Sequence, residues 1–134
     1  MREFVFRAWD VQSHEYFPNV QTHIGNFETA FGNMLKNNRY VIEQFVGVKD
    51  EFGKNIFEGD IVKHNGLSHN YPMLIFFRDG SFCIGSDGSG PNEWGSWVTI
   101  RDLMTQAKRC GKELKLTVIG NIHENPEITI GGVA

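Results

Sequence analysis

Short stretches in which hydrophobic and polar residues alternate recur along the chain, and this pattern predicts β-strands. Residues 3–9 and 114–122 alternate in this way, so each strand is expected to bury at least one face. Residues 40–48 are rich in β-branched and aromatic side chains, which also favour a strand. The hydrophobic pattern is therefore that of a β-rich chain.

Turn signals between the apolar runs predict where the strands reverse. Asp79-Gly80 separates two apolar runs and favours a type I′ hairpin, because both central residues of that turn need positive φ. Residues 49–55 form a second predicted turn, in which Gly53 takes positive φ. The segment from residue 10 to residue 25 lacks firm periodicity and is expected to be a loop or a short hairpin around residues 15–17.

Two segments have helical periodicity instead. The stronger one begins at Thr99, which is followed by Asp102 in a capping box, and it ends before Gly111, a residue suited to the position after a helix. Its apolar stripe consists of Ile100, Leu103, Met104 and Ala107. A weaker helix is predicted from Asn26 as the N-cap. Its apolar face consists of Phe27, Phe31, Met34 and Leu35.

Composition supports a compact β-rich protein. The chain has 134 residues, of which 40% are hydrophobic and 13% aromatic, enough to bury a core. Fifteen Gly and only four Pro favour strands joined by tight turns over a helical bundle. The predicted fold class is mainly β, a β-rich α+β arrangement with one or two short helices. We expect an N-terminal subdomain of strand, loop and short helix over 1–40, a β-rich core over 41–128 that includes the helix near 100–110, and a disordered tail over 129–134.

Charge and cysteine usage narrow the possible partners. The formal net charge is −3 at pH 7, which gives no global attraction to a polyanion, so a nucleic-acid partner is not favoured. Cys83 and Cys110 lack C-x-x-C spacing and are expected to be free thiols in a reducing cytoplasm. Charges at Arg2, Glu3 and Arg7 interrupt any signal-peptide core, and no apolar run approaches a membrane span. We therefore expect a soluble cytoplasmic protein without a membrane partner.

Three sequence blocks stand in a recognisable order along the chain. They read FRAWD near the start, QFVGVKD and FEGDIV in the middle, and VIGNIHENPE towards the end. Their order and content resemble the YopX family of phage and prophage proteins, and the match spans nearly the whole chain. The resemblance implies a small phage-encoded protein, located in the host bacterial cytoplasm. It also implies that the core over 41–128, towards the C-terminus, is an SH3-like β-barrel and that the N-terminal part is more variable. It implies no particular activity.

Each block also has a structural interpretation that needs no family. Gly59-Asp60 allows a sharp corner and offers a carboxylate to neighbouring backbone N–H groups. Arg7 is expected to stack on an aromatic ring or to pair with Asp10 or Asp60 rather than contact a ligand, by about three to one. The motif positions predicted to be structural are Arg7, Gly47, Asp50, Gly53, Glu58, Gly59, Asp60, Gly120, Asn121, Asn125 and Pro126.

Candidate catalytic and metal-binding chemistry is sparse. Glu58 and Asp60 lie at i and i+2, so on a strand they share a face and could hold a cation or couple their titration. No base or nucleophile is identifiable beside them, so a cation-assisted enzyme is only the third hypothesis. His64, His69 and Cys83 form a scattered set, whereas zinc needs three or four ligands. The sequence therefore predicts no catalytic residue, no metal site and no cofactor.

Aromatic residues beside loops are the stronger candidates for function. Trp9, Tyr16, Phe17 and Trp94 lie in or next to loops, and the Gly/Ser-rich segment 85–95 is expected to be flexible and exposed. For Trp94, a binding residue and a core plug are weighed evenly. The preferred hypothesis is a non-enzymatic module that binds an unidentified host or phage protein, with self-association also open.

The alternative hypothesis is a barrel that binds single-stranded nucleic acid. Small barrels can stack bases on aromatic side chains inside a basic groove. This function requires several cations to converge on one face despite the negative total charge. The cations in question are Lys36, Arg39, Lys49, Lys54 and Lys63.

Overall fold

The computed structural model describes residues 3–23, 30–65, 71–88 and 96–130. These residues form a mainly β protein with two antiparallel sheets and few helices, as the hydrophobic pattern predicts. The strands are β1 (Phe6–Asp10), β2 (Glu15–Phe17), β3 (Tyr40–Lys49), β4 (Asn55–Phe57), β5 (Asp60–Asn65), β6 (Met73–Arg78), β7 (Ser81–Ser86), β8 (Ser96–Thr99) and β9 (Lys115–Asn121). The helices are a 3-10 turn (Val20–Thr22), α1 (Phe31–Met34) and α2 (Ile100–Arg109). No helix in the described ranges is long and apolar enough to cross a membrane.

The chain divides into two compact units, Met1–Gly47 and Val48–Ala134. In the first unit, β1 pairs antiparallel with β2 on one side and with β3 on the other. The side chains alternate along β1 as predicted, because Phe6 and Ala8 face a buried cluster while Arg7 and Trp9 face the opposite side of the sheet. The cluster consists of Ala8, Val20 and Met34, surrounded by the half-buried Phe6, Phe17, Phe31, Tyr40 and Ile42.

The second unit contains a five-stranded antiparallel sheet in the order β8-β7-β6-β5-β9, which curls into a half-barrel. The predicted hairpin joins β6 to β7, and Asp79 (φ 53°) and Gly80 (φ 80°) take the positive φ values of a type I′ turn. Pairing of β5 with β9 shifts register between Ile61 and Val62, which is a bulge. With β8 at one edge and β9 at the other, the sheet is open in this strand order. Closure into an SH3-like barrel stays a prediction.

Helix α2 has both predicted caps. The Thr99 hydroxyl accepts a hydrogen bond of 3.0 Å from the Asp102 N–H. At the other end Gly111 takes φ 67° and donates to the Lys108 carbonyl, and Lys112 donates to the Ala107 carbonyl. This pair of bonds is a Schellman motif, which satisfies carbonyls that the helix end would otherwise leave unpaired.

The first helix differs from its prediction. Helix α1 begins at Phe31, because Ala30 has extended backbone angles and occupies the N-cap position. The predicted cap, Asn26, lies outside the described residues. Met34 is buried as expected, but Leu35 is 56% exposed, so its assignment to the apolar face is wrong. A helix of four residues has room to bury only a narrow stripe.

The segment predicted as a flexible loop from Gly85 begins later than expected. Gly85 and Ser86 are buried residues of β7. Gly85 takes φ 142°, and a Cβ atom there would collide with the Ser96 carbonyl and approach the Trp97 Cα at 2.8 Å. The glycine therefore allows β8 to approach closely, which composition alone does not distinguish from loop flexibility. Residues 89–95 lie outside the described ranges.

Candidate functional site

The turn between β3 and β4 is organised by one buried carboxylate. The side chain of Asp50 accepts hydrogen bonds from the backbone N–H groups of Phe52 (2.9 Å) and Lys54 (2.9 Å). The Asp50 N–H donates to the Lys54 carbonyl at 2.8 Å, and Gly53 takes φ 83°, the positive φ predicted for it. We call residues 49–55 the Asp50 turn. A short polar side chain that bonds backbone N–H groups two and four residues ahead replaces bonds that the reversing backbone cannot make.

The same carboxylate also bonds the turn to strand β9. Asp50 Oδ2 accepts from the Val118 N–H of β9 at 3.3 Å. Burial raises the pKa of Asp50, but the backbone N–H groups of Lys54, Val118 and Phe52 outweigh it and hold the pKa below its usual range. Asp50 is therefore ionised in the folded protein at neutral pH.

Two more hydrogen bonds fasten the Asp50 turn to β9. The Glu51 N–H donates to the Leu116 carbonyl at 2.8 Å. The Thr117 hydroxyl donates to Glu51 Oε1 at 3.1 Å. Because β9 is an edge strand, these bonds occupy part of an edge that would otherwise present unpaired backbone groups. The turn is thus held both by hydrogen bonds within itself and by hydrogen bonds to β9.

An open groove of about 520 Å³ lies between the turn and the start of β9. The described residues that line it are Lys49, Asp50, Glu51, Phe52, Glu113, Leu114 and Lys115. Phe52 is 78% exposed, so a large apolar side chain stands in water on a turn that the hydrogen bonds hold rigidly. We call this surface the Phe52 groove.

The Phe52 groove was not predicted from the sequence, although Asp50 and Gly53 were. A signal was present, since Phe52 is an aromatic residue inside a charged turn. The wall formed by residues 113–115 had no such signal, because it lies more than sixty positions away along the chain.

The corner at Glu58, Gly59 and Asp60 is structural in its geometry. Asp60 is buried, and its Oδ2 accepts from the Phe57 N–H at 2.8 Å. Gly59 takes φ 89°, donates to the Ile75 carbonyl at 2.7 Å and accepts from the Ile122 N–H at 3.0 Å. Across the described ranges, no three His, Cys, Asp or Glu side chains form a group able to hold a metal ion. Glu58 and Asp60 therefore gain no third ligand from these residues.

The C-terminal motif, residues 120–126, is also held by short-range hydrogen bonds. Asn121 Oδ1 accepts from the N–H groups of His123 (3.0 Å) and Glu124 (2.8 Å). Asn125 Oδ1 accepts from the Asn121 N–H at 3.2 Å. A Cβ atom on Gly120 would lie 2.6 Å from Asn125 Oδ1, so this position needs a glycine. Pro126 follows Asn125 where the chain leaves the sheet.

Arg7 forms the kind of structural pairing that was predicted, with a partner that was not. Its Nε donates to Glu43 Oε1 at 2.9 Å, and its guanidinium lies 4.3 Å from the centroid of the Tyr16 ring. The Tyr16 hydroxyl donates to the same Glu43 oxygen at 2.9 Å. Glu43 lies directly across from Arg7 on β3, a pairing that sequence separation concealed.

The predicted aromatic interaction residues are less exposed than expected. Trp9 is only 6% exposed and packs edge-on against Tyr16, with ring centroids 5.0 Å apart. Tyr16 and Phe17 are half-buried, and Phe17 packs against the cluster of the first unit. Trp94 lies outside the described residues. Their assignment to an interaction surface stays a prediction, but Trp9 has little side-chain surface left to offer a partner.

Two of the five cations proposed for a nucleic-acid groove, Arg39 and Lys49, have another partner or mixed surroundings. Arg39 donates from Nη2 to the buried Asp10 at 2.8 Å and from Nε to the same carboxylate at 2.9 Å. The hydrogen bonds from Arg39 are the main reason that the pKa of Asp10 lies well below its usual range. Lys49 lines the Phe52 groove, where the described lining has more acidic than basic side chains. Such a groove does not favour a polyanion.

His64 of β5 is buried, at 6% exposure, and its Nδ1 has no hydrogen-bond partner among the described residues. Burial disfavours the imidazolium form, and the positive charge of Lys112 adds to this, so the pKa of His64 is lowered. His69 and Cys83 are the two other members of the scattered metal set. His69 lies outside the described residues, and Cys83 is a buried free thiol whose pKa is raised by burial.

The fold and the Asp50 turn place the chain among small β-rich proteins made of two antiparallel sheets. The sequence profile of the YopX protein family matches residues 5–129, nearly the whole chain, and the chain therefore belongs to this family. The resemblance expected from the three sequence blocks is confirmed. Among solved structures, the crystal structure of protein EF1440 from Enterococcus faecalis is similar, with a TM-score of 0.59 and 27% sequence identity. The match covers 95% of this chain and 98% of that chain. No curated protein matches the chain significantly.

Proposed function

We propose that this protein is a non-enzymatic protein-interaction module and that the Phe52 groove is its contact surface. The observation that carries the proposal is the 78% exposure of Phe52 on a turn held by the buried Asp50 carboxylate. Aromatic residues dominate the binding energy of protein interfaces when a partner removes them from water. The partner under this proposal is a protein of host or phage origin.

Rigidity of the turn supports this function. Binding costs free energy when a loop must be ordered, so a contact residue on a preorganised turn loses less entropy than one on a flexible loop. Phe52 is itself a hydrogen-bond donor to Asp50, and the neighbouring Glu51 is bonded to Leu116. These contacts fix the backbone from which the exposed ring projects before any partner arrives.

Affinity capture with matched variants tests the proposal. Tagged wild-type protein, Phe52→Ala and Phe77→Ala are used as baits in bacterial lysate, with and without phage infection, and captured proteins are quantified by mass spectrometry. Phe77 is the control because it is also an exposed phenylalanine of the second unit, 56% exposed, but does not line the Phe52 groove. We expect Phe52→Ala to lose the captured proteins and Phe77→Ala to retain them.

The proposal fails if Phe52→Ala captures the same proteins as the wild type while remaining folded by circular dichroism. Nucleic acid in the captured material is measured in parallel. Salt-sensitive recovery of nucleic acid that does not depend on Phe52 would instead support the alternative function.

A further inference from the structure

The edge of β9 is covered by the Asp50 turn over only part of its length. In an antiparallel strand, the backbone groups of every second residue point to the same side. The Leu116 carbonyl and the Val118 N–H both point away from β5, towards the turn. Leu114 immediately precedes β9 and lines the open groove there. Continuing the alternation of β9 by one residue would place the backbone groups of Leu114 on the same side as those of Leu116.

The charges around Leu114 are of mixed sign and arranged in pairs. Exposed Glu113 and Lys115 flank it on one wall of the groove, and exposed Lys49 and Glu51 lie on the other. A strongly acidic or strongly basic partner gains little from such a surface, because each attraction is offset by a repulsion. A partner strand with the same alternation, running in the opposite direction, can pair with both Glu113 and Lys115.

We propose that the partner seated on the Phe52 groove is a second copy of this chain, paired through residues 113–115, where the chain enters β9, about a two-fold axis at Leu114. This inference rests on the proposed function, because it names the partner of the same surface. An antiparallel pairing centred on Leu114 places Glu113 of each copy opposite Lys115 of the other. Opposite charges directly across two strands stabilise the pair, whereas like charges destabilise it.

The position of Phe52 suits a two-fold arrangement. A two-fold interface uses the same patch on both copies, so a protruding group and the cavity that receives it must lie side by side on one surface. Phe52 lies at the border of its own groove, and a volume of about 520 Å³ is within the range of pockets that enclose small ligands, roughly 300–1,000 Å³. The ring of each copy therefore reaches the groove of the other and is removed from water.

The length of the pairing is limited by the structure itself. The Leu116 carbonyl already accepts from Glu51, so new backbone pairing ends before Leu116. On the other side the chain turns at Gly111, which has φ 67°. The interface is accordingly short, and the dimer is expected to dissociate on dilution.

Sedimentation velocity of the purified full-length protein over a concentration series tests the inference. We expect a concentration-dependent dimer for the wild type. Glu113→Lys and Lys115→Glu are each expected to weaken dimerisation by roughly threefold to tenfold, because each places like charges opposite one another. The double variant Glu113→Lys, Lys115→Glu is expected to restore the wild-type dissociation constant to within about twofold, since its charges are again complementary. Phe52→Ala weakens the dimer, and Phe77→Ala leaves it unchanged.

A wild-type protein that stays monomeric at every concentration overturns the inference, as does a double variant no tighter than the single ones. The proposed function is tested separately by Phe52-dependent capture of other proteins. Such capture by a monomeric protein supports the interaction module and rejects the second copy as its partner, with a segment of another protein occupying the groove instead.

Discussion

The carboxylate of Asp50 accepts a hydrogen bond from the backbone N–H of Val118, which lies 68 residues further along the chain. This contact joins the turn after β3 to the edge strand β9, and the same carboxylate also accepts the N–H groups of Phe52 and Lys54. One side chain therefore holds both the conformation of the turn and its position on the sheet. The Phe52 groove forms because Asp50 both shapes the turn and holds the turn beside β9.

Replacing Asp50 by Ala is expected to destabilise the protein by about 3 kcal/mol. The reason is that the backbone N–H groups of Phe52, Lys54 and Val118 lose their hydrogen-bond acceptor. The free energy of unfolding from urea denaturation measures this effect. Glu113→Gln, an exposed change in the same groove, is the control and is expected to alter stability by less than about 0.5 kcal/mol. An Asp50→Ala variant as stable as the control would contradict the role assigned to the carboxylate.

Because the pKa of Asp50 is lowered in the folded protein, we expect the free energy of unfolding to decrease in acid. Its folded pKa lies below the ordinary value of 3.8, so the unfolded chain binds the proton first as the pH falls. The contribution of Asp50 is complete above the unfolded pKa and is lost as the pH falls from there through the folded pKa. Asp50→Asn should flatten this part of the stability profile, and an unchanged profile would show that other carboxylates dominate it.

The buried imidazole of His64 leads us to expect a second pH dependence of stability. Its folded pKa is depressed below the ordinary value of 6.5, so lowering the pH through 6.5 protonates the unfolded chain first and lowers stability. We expect His64→Leu to be at least as stable as the wild type at pH 8, since it removes an unpartnered buried nitrogen, and to lose less stability between pH 7 and pH 5.

Thermal denaturation at a series of pH values measures the His64 effect. His14→Asn is the control, because His14 is exposed and its φ of 57° is one that asparagine tolerates. If His64→Leu and the wild type lose stability in parallel between pH 7 and pH 5, the buried imidazole is not the cause.

Gly85→Ala is expected to destabilise the second unit by about 3 kcal/mol, since its Cβ atom would meet the backbone of Ser96 and Trp97 and its φ is 142°. Gly32→Ala is the matched control. No atom lies within 4 Å of the position that its Cβ would occupy, and the residue is helical, so the change should stabilise by about 0.5–1 kcal/mol. Urea denaturation distinguishes the two, and a tolerated Gly85→Ala would contradict the close approach of β8.

Arg7→Ala is expected to cost about 3 kcal/mol, because it leaves the Glu43 carboxylate buried without its cation. Tyr16→Phe removes only one hydrogen bond to the same carboxylate and is expected to cost about 1 kcal/mol. The ratio of the two losses in denaturant unfolding checks the assignment. Equal losses would mean that the ion pair contributes no more to stability than the single hydrogen bond from the Tyr16 hydroxyl.

Much of the fold could be predicted from the sequence because its signals are local. The Asp79-Gly80 turn, the Thr99 cap and the positive φ of Gly53 each depend on residues a few positions apart, whose side chains and backbone decide the conformation between them. The failures have the same explanation. The sequence around Gly85 is typical of a loop, and only the contact with the Ser96 carbonyl shows that a glycine is needed inside a strand. The spacing of Leu35 is typical of a core residue, but the helix ends at Met34, before Leu35.

From the sequence alone we predicted the β-rich class, the positions of most strands and main turns, and the YopX resemblance. Three features became visible only in the folded protein: Arg7 pairs with Glu43, Trp9 is buried, and Phe52 stands exposed beside residues 113–115. Alternation along a strand states which residues share a face, but not which other strand meets that face. That choice depends on the packing of the whole unit, and so does the groove in which a partner is proposed to bind.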